Sequence, residues 1–576
     1  MRNKLQIFTI SLVLLSAGCG YLDETPYDWA QPDDIFTAEN NYVRPVNQAY
    51  SYMKGGFNRV SGAFLDAATD DGMCTISGSS IHRISRAFIT SANAVESCWD
   101  NSYQGIRQAL FVQKNLAEQK LVLNNKTDEE VAQIKLVYAG EMFALRALYE
   151  FDLLRHYGAY PVIDRYYNLG DPEIAEKGRN SFDECVRNIS ALCDSAASYL
   201  DVEPIGGNGG YGRMTKGAAL AIKAKALIYA ASPLYNQPGN TNPLLGYVNA
   251  SEADVKLRWE AAAEACAAVI NLKKANGANK YSLYKGYEKL FVTCPNDEYI
   301  VFNTAGKSNG LENRQYPPSF SKNSGGGTVP TQELVDAFSM ADGSDYLRGN
   351  AATQYNNRDP RLGIIVGYNG TAYGKKGKIY TKTGTGATID ALNALVDRST
   401  NTGYYMRKFL DLNVNFSLAN PATTFHLFPI IRLADVLLLY AEAMNEAYGM
   451  DADPKGYGLT AKDAVTMVRS RAGFTTSDKY LDNVATKEQM YDKIRNERRI
   501  ELAFEEQRYF DLRRWMDGDK LNQPVTGLHI DDDNGALSYS YFTADGQRKF
   551  EPKMYFHPIP LTEIKISPKL EQNPGW

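Results

Sequence analysis

The sequence predicts a mainly α-helical protein in which four tetratricopeptide-like helix pairs pack against a variable, loop-rich region carrying short strands. Two observations predict it. Apolar residues recur at three- and four-residue spacing in eight segments, five in the first half of the chain and three near its end. Between those groups lie about 160 residues rich in Gly, Asn, Tyr and Pro. A structureless loop of that length does not suit a compact domain, so short strands, turns and small helices packed on the stack are expected there.

The helical segments are Val95 to Gln119, Asp128 to Tyr157, Phe182 to Leu200, Thr215 to Ala231, Ala253 to Leu272, Arg432 to Tyr448, Thr460 to Arg471 and Lys487 to Trp515. The second is the clearest: Ile134, Tyr138, Glu141, Leu145 and Leu148 mark one face, and Gly158 and Pro161 end it. Eight helices in four successive pairs suggest a tetratricopeptide-like stack, although the strict 34-residue signature is absent. The expected division is a signal peptide at 1–18, a tether at 19–40 and one domain at 41–576. Within the domain, helix pairs occupy 95–272 and 432–515, a variable insertion about 273–431, and an extended C-terminal segment 516–576.

The N-terminus reads as an export signal. Arg2 and Lys4 precede an apolar run from Leu5 to Leu15, too short to span a bilayer, and Ser16-Ala17-Gly18 lead into Cys19. A cysteine directly after small residues is the lipoprotein variant, with Cys19 becoming the acylated first residue. The usual pattern has Leu three residues before the cysteine; here Ser16 stands there and Leu15 lies one step earlier. Each buried methylene contributes about 0.8 kcal/mol, so several acyl chains would anchor the protein firmly in a membrane. Tyr21 to Asn40 is acidic, Pro-containing and aperiodic, as a tether would be.

Composition is that of an ordinary globular protein, with 44% hydrophobic and 22% charged residues. The formal charge of −5 becomes −7 once residues 1–18, with Arg2 and Lys4, are removed, which argues against a nucleic-acid partner. Aromatic residues are plentiful (38 Tyr, 23 Phe, 5 Trp), although a core can absorb them. The six cysteines after Cys19 form no C-x-x-C pair. Cys185 and Cys193 lie about 12 Å apart along one helix, too far for a bridge, and read as apolar fillers.

Several motifs have structural explanations. Glu497, Glu501, Glu505 and Arg508 follow at three- or four-residue spacing in the last helix, with Arg498 adjacent. Glycosidases place two carboxylates on opposite sides of a bond, whereas acids sharing one helical stripe with arginines suit ion pairs between helices. Gly207 to Gly212 satisfies G-x-G-x-x-G but follows a helix instead of a strand, so a helix–helix connection is expected. The five histidines are scattered, and acids such as Asp531-Asp532-Asp533 suit a solvated loop. No catalytic residue, metal ligand or cofactor is expected.

Blocks along the chain resemble the SusD-like (RagB-like) family of outer-membrane nutrient-binding lipoproteins. In the second half they are Arg358-Asp359-Pro360-Arg361-Leu362, Arg432-Leu433-Ala434-Asp435 running to Glu442, Val468-Arg469-Ser470-Arg471-Ala472-Gly473, and Arg495-Asn496-Glu497-Arg498-Arg499 running to Trp515. His557-Pro558-Ile559-Pro560 and Gln572 to Trp576 close the chain. In the first half, Tyr157-Gly158-Ala159-Tyr160-Pro161, Thr215-Lys216-Gly217 and Asn296 to Phe302 fit the same order. The resemblance implies a surface-exposed outer-membrane lipoprotein that captures oligosaccharide or polysaccharide without catalysis. It also implies a TonB-dependent (SusC-like) outer-membrane transporter as partner.

Sugars present apolar C–H faces and rings of hydroxyls, so a site needs aromatic platforms among planar amide, carboxylate and guanidinium groups. Two segments offer that mixture: Asp66 to Asn101, with Asp66, Asp70, Arg83, Trp99 and Asn101, and Tyr299 to Phe320, with Arg314, Tyr316 and Phe320. The resemblance points to the same regions. Arg83 and Arg86 would suit an anionic sugar, but surface arginines are common and the glycan is not legible here. A surface glycoside hydrolase or lyase, and a peptide-binding scaffold that uses the concave face of a helix stack, are the alternatives.

Overall fold

The computed structural model describes residues 35–36, 41–124, 126–168, 170–304, 306–474 and 478–576, so the export signal, Cys19 and nearly all of the tether lie outside the described residues. The helical expectation holds. The long helices are α1 (Trp99–Glu118), α2 (Asp128–Tyr157), α3 (Phe182–Tyr199), α4 (Lys216–Ala231), α5 (Glu252–Ile270), α6 (Leu433–Tyr448), α7 (Ala461–Ala472) and α8 (Lys487–Glu501). A further helix, α9 (Gln507–Arg514), follows.

Local sequence sets their starts. Thr127 with Glu130, Ser181 with Glu184, Ser251 with Asp254, Thr460 with Asp463 and Thr486 with Gln489 form reciprocal capping boxes that satisfy otherwise orphaned N–H groups. Helix α2 ends at Gly158, whose φ of 75° is cheap only for glycine. The helices pack in series from α1 to α6, and both α7 and α8 lie on α6. G-x-G-x-x-G forms part of the α3–α4 connection, with a short turn at Gly207–Gly210.

The last helix differs from the expectation of one continuous element from Lys487 to Trp515. It breaks after Glu501: Phe504 and Glu506 take positive φ (62° and 65°), and α9 restarts at Gln507. Buried donors capture the freed carbonyls. Glu501 O accepts from Tyr287 Oη (2.8 Å), Arg432 Nη2 (2.9 Å) and Lys408 Nζ (3.1 Å), and Ala503 O accepts from Lys408 Nζ (2.8 Å). Groups distant in sequence thus supply the hydrogen bonds that an unbroken helix would have made itself.

The insertion closes on itself. Its first strand β2 (Tyr299–Thr304) pairs antiparallel with its last, β4 (Leu427–Arg432). Another antiparallel pair, β1 (Gly72–Cys74) with β3 (Thr328–Pro330), ties the insertion to the segment before α1. Its core is separate from that of the stack and centres on Phe64, Tyr316, Phe409 and Phe428. The C-terminal segment contains a long hairpin, β5 (Val525–Asp533) with β6 (Ala536–Asp545).

Stack and insertion are joined by a lattice of wholly buried ions. Arg361 of the insertion reaches Asp359 (2.8 Å), Glu497 (2.5 Å) and Glu501 (3.0 Å). Arg432 reaches Glu298 (2.6 Å), Glu501 (2.8 Å) and Glu505 (2.7 Å), and Arg498 reaches Asp435 (2.9 Å) and Asp511 (3.0 Å). The charged blocks noticed in the sequence are therefore internal struts, as the ion-pair expectation for Glu497, Glu501 and Glu505 required. No described helix is long and apolar enough to cross a membrane.

Candidate functional site

The turns between the short helix Val43–Tyr50 and α1 form a polar cleft of about 560 Å³. Lys54, Arg59, Ser61, Ser80, Asn93, Glu96 and Asn101 supply most of its polar surface. Four residues in these turns hold positive φ without being glycine: Asn58 (54°), Ser61 (47°), Ala87 (57°) and Glu96 (63°). Each such conformation costs on the order of 1–3 kcal/mol and persists where the surroundings enforce it, which is common at ligand sites. The residue after Ala87, Phe88, stands 70% exposed, and neither of the two lines the cleft.

The cleft floor is charged but internally balanced. Arg59 donates to both Glu96 oxygens, through Nε at 3.0 Å and through Nη2, and its Nη1 lies 2.5 Å from Glu506 Oε2. Lys54 Nζ reaches Glu96 Oε1 at 3.4 Å and donates to Ser97 O at 2.6 Å. Burial alone would raise the Glu96 pKa, but Arg59 and Lys54 outweigh it and hold the carboxyl well below its ordinary value. Beneath it, His156 Nε2 lies 3.5 Å from Glu96 Oε1, and burial holds that imidazole down to about 4.

The structure distributes the eight glycan-binding residues chosen from sequence unevenly. Asn101 is exposed on the polar cleft. Trp99, 4% exposed, faces the other way: its ring packs 4.9 Å from Tyr103 and edge-on to Tyr157, and closes one end of a more apolar cleft of about 410 Å³. Tyr103, Tyr166 and Tyr167 line that second cleft. The first turn of α1 is thus a ridge between a polar and an aromatic depression.

Asp66 is wholly buried, its Oδ2 accepting the Glu506 N–H at 3.1 Å; burial, then Glu506 and Asp71, raise its pKa well above the carboxylate norm. Asp70 receives two bonds from Arg508 (2.9 and 2.8 Å). Burial opposes its charge, but Arg499 and Arg508 prevail and lower its pKa. Tyr316 is wholly buried and donates to Asp411 O at 2.6 Å, and Phe320 stacks on Tyr373 with centroids 6.0 Å apart. Asp66 and Tyr316 are buried and present no surface to a solute.

Arg83 is exposed, while Arg314 is half-buried with its guanidinium against Gly62. The second segment picked from sequence contacts the loop 53–62, which precedes the first segment in the chain. Asn303 Nδ2 donates to Met53 O at 2.9 Å, Gln315 Nε2 donates to Asn58 Oδ1 at 2.5 Å, and Arg314 flanks Gly62. Sequence reasoning missed Lys54, Arg59, Asn93, Glu96 and Phe88. Phe88 lies inside the first chosen segment, and its aromatic type was the only signal; exposure was not readable. The other four carry no pattern that separates them from loop residues.

Comparison with known proteins places this geometry in a family. Residues 297–576 match the SusD family. The chain is 24% identical over 591 residues to SusD-like protein P2 of Formosa agariphila, covering 100% of both. A crystal structure of a SusD-like protein from Bacteroides fragilis superposes with a TM-score of 0.74 at 24% identity, covering 96% of this chain and 100% of that one. A laminarin-binding SusD-like protein superposes with a TM-score of 0.63 at 20% identity, over 94% of this chain and 100% of that one. With the ordered sequence blocks buried as the struts of a helix stack that carries a strand-bearing insertion, residues 297–576 belong to the SusD family, and over its whole length the chain is similar to SusD-like proteins.

Proposed function

We propose that the polar cleft beside α1 binds oligosaccharide or polysaccharide without catalysis, at the outer surface of the outer membrane, and that the captured glycan passes to a TonB-dependent (SusC-like) transporter. The observation that carries this is the cleft's chemistry. Hydroxyls of Ser61 and Ser80 and amides of Asn93 and Asn101 surround a charge-balanced floor, and the exposed ring of Phe88 lies five residues before Asn93 along the chain. That combination suits sugar hydroxyls and C–H faces. Family membership and the laminarin-binding neighbour support the same ligand class.

Glu96, clamped by Arg59 and Lys54, is poorly placed to donate a proton, and Glu506, the second carboxylate on Arg59, is buried and does not line the cleft, so capture is favoured over hydrolysis. Residues 19–40 act as the tether from an acylated Cys19, and 41–576 as one domain. Affinity between millimolar and micromolar, about −4 to −8 kcal/mol, leaves the cargo free to move on.

Titration calorimetry against glycan and peptide panels tests the ligand class: heat with glycans is expected, and heat with peptides alone would refute it. Release of reducing ends from a polysaccharide library would make the protein an enzyme. Co-purification of the acylated chain with an outer-membrane barrel tests the partner, and metabolic labelling with palmitate tests Cys19.

A further inference from the structure

We infer that the glycan taken by this cleft is anionic, bearing carboxylate or sulfate ester groups, and that Arg83 and Arg314 are specificity-determining cations at its rim. The inference rests on the glycan-binding reading above. Inside the cleft the cations are spoken for: Lys54 and Arg59 are matched by Glu96 and Glu506. In the elements next to Ser61 and Ser80, cations stand without ion pairs among the described residues.

The rim can be traced contact by contact. Arg398 Nε donates to Ser324 O at 3.0 Å, and Ser324 Oγ donates to Asn313 O at 2.6 Å. Asn313 Oδ1 also accepts from Lys322 N at 2.9 Å, so this turn sits on the short helix Gly310–Gln315 that carries Arg314. Arg314 in turn lies against Gly62, its Cζ 3.3 Å from where a Cβ would stand. The next residue back, Ser61, bonds Ser80 (Oγ to Oγ, 2.6 Å), which precedes the short helix Ile81–Ser85 and Arg83. Ser61 and Ser80 both line the cleft.

The elements traced in this way carry Arg83, Arg314, Lys322 and Arg398, and none of the four forms an ion pair among the described residues. Nearby carboxylates are engaged elsewhere: Asp397 Oδ1 accepts the Ser77 N–H at 2.8 Å, and Glu312, on the same short helix as Arg314, is buried with its Oε1 2.7 Å from His426 Nε2. The next arginine along, Arg86, lies 3.8 Å from Asp545. Arg314 is the most telling member. It is half-buried, yet among the described residues its guanidinium makes no hydrogen bond, ion pair or ring contact, whereas Arg59 and Arg213 at comparable depth are fully engaged. A partly desolvated fork of five donors with nothing to hold is matched by a planar or tetrahedral oxyanion, and both carboxylate and sulfate accept it bidentately. The excess is local, for the whole chain carries a formal charge of −5.

The test is calorimetry on the whole chain with Cys19→Ser, using oligomers of polygalacturonate (carboxylate), chondroitin sulfate (sulfate ester and carboxylate) and laminarin (neutral), each at low and high sodium chloride. Binding of one or both anionic oligomers is expected, weakening with salt as exposed charge pairs are screened. Arg83→Gln and Arg314→Gln should each weaken it roughly 10-fold, in line with loss of a charge-assisted bond. Neither variant should shift the thermal midpoint, and preference between the two anionic oligomers separates carboxylate from sulfate. Tighter binding of laminarin, insensitive to salt and to both substitutions, overturns the inference and leaves the glycan reading standing. Binding of none of the three, nor of any glycan on an array, removes the glycan reading and this inference with it.

Discussion

Arg432 and Glu501, both without exposed side-chain surface, meet at 2.8 Å where α8 ends, and Arg432 also caps the Glu501 carbonyl at 2.9 Å. One arginine thus holds the helix break by both the side chain and the main chain of its partner. Because the break positions Glu506, and Glu506 holds Arg59 on the cleft floor, the lattice also supports the site.

Removing one partner of a buried pair strands the other, which costs about 3–5 kcal/mol. Glu501→Gln should lower unfolding free energy by that order at pH 7, measured by urea titration. Burial pushes the Glu501 carboxyl up, but Arg471, Arg432 and Arg361 prevail and hold it at about 2. Its folded pKa is therefore below its unfolded value, and its stabilisation is complete above about 4.3 and lost as pH falls towards 2. The gap between wild type and variant should narrow from pH 7 to pH 3; an unchanged gap would show that Glu501 does not act through its charge.

A second pH dependence comes from His156, whose imidazole burial holds down to about 4, and His557, which burial and His156 hold well below the ordinary range. In the unfolded chain both protonate near 6.5, so the unfolded state binds more protons and stability falls as pH drops from about 6.5 to 4. Each contributes up to about 1.4 kcal/mol per pH unit in that window. His156→Gln should flatten the slope by one proton; a slope equal to that of wild type would contradict the assignment.

Exposed and buried candidates should separate cleanly. Asn101→Ala and Phe88→Ala are expected to weaken glycan binding about 10-fold, near 1.4 kcal/mol, while changing stability by less than about 0.5 kcal/mol. Trp99→Ala and Tyr316→Ala empty packed positions and should destabilise by about 3–5 kcal/mol. Calorimetry paired with denaturation of all four variants checks this. Full binding by both surface variants would move the site elsewhere, and the aromatic cleft around Tyr166 and Tyr167 would be the next place to look.

Thiol chemistry offers an independent check on the packing. Cys74, Cys98, Cys185, Cys193 and Cys266 are free and buried, and Cys294 is free and exposed. With Cys19→Ser, iodoacetamide should label one site in the native protein and all six after denaturation, as read by mass spectrometry. Native labelling at Cys185 or Cys193 would show that α3 is not packed as described.

The positions of the helices were legible because a helix needs only a periodic apolar face and local caps, and both are written within a few residues of one another. Ion pairing in the last helix was legible for the same reason, since Glu497, Glu501 and Arg498 declare themselves by spacing. The break after Glu501 was not, because Tyr287, Lys408 and Arg432, which take up its carbonyls, come from elements far away in sequence.

The candidate site divides along the same line. Sequence alone placed Asn101 and Trp99 at the start of α1 and marked two polar, aromatic segments as the places to search. Only the tertiary structure decided that Trp99 faces inward while Asn101 faces the cleft, that Asp66 and Tyr316 are buried, that Phe88 and Arg83 are exposed, and that Arg314 has no ion pair among the described residues. Burial and charge compensation are sums over neighbours distant along the chain. A side chain's chemical type is local, but whether it is free to meet a ligand is settled by what the fold packs around it.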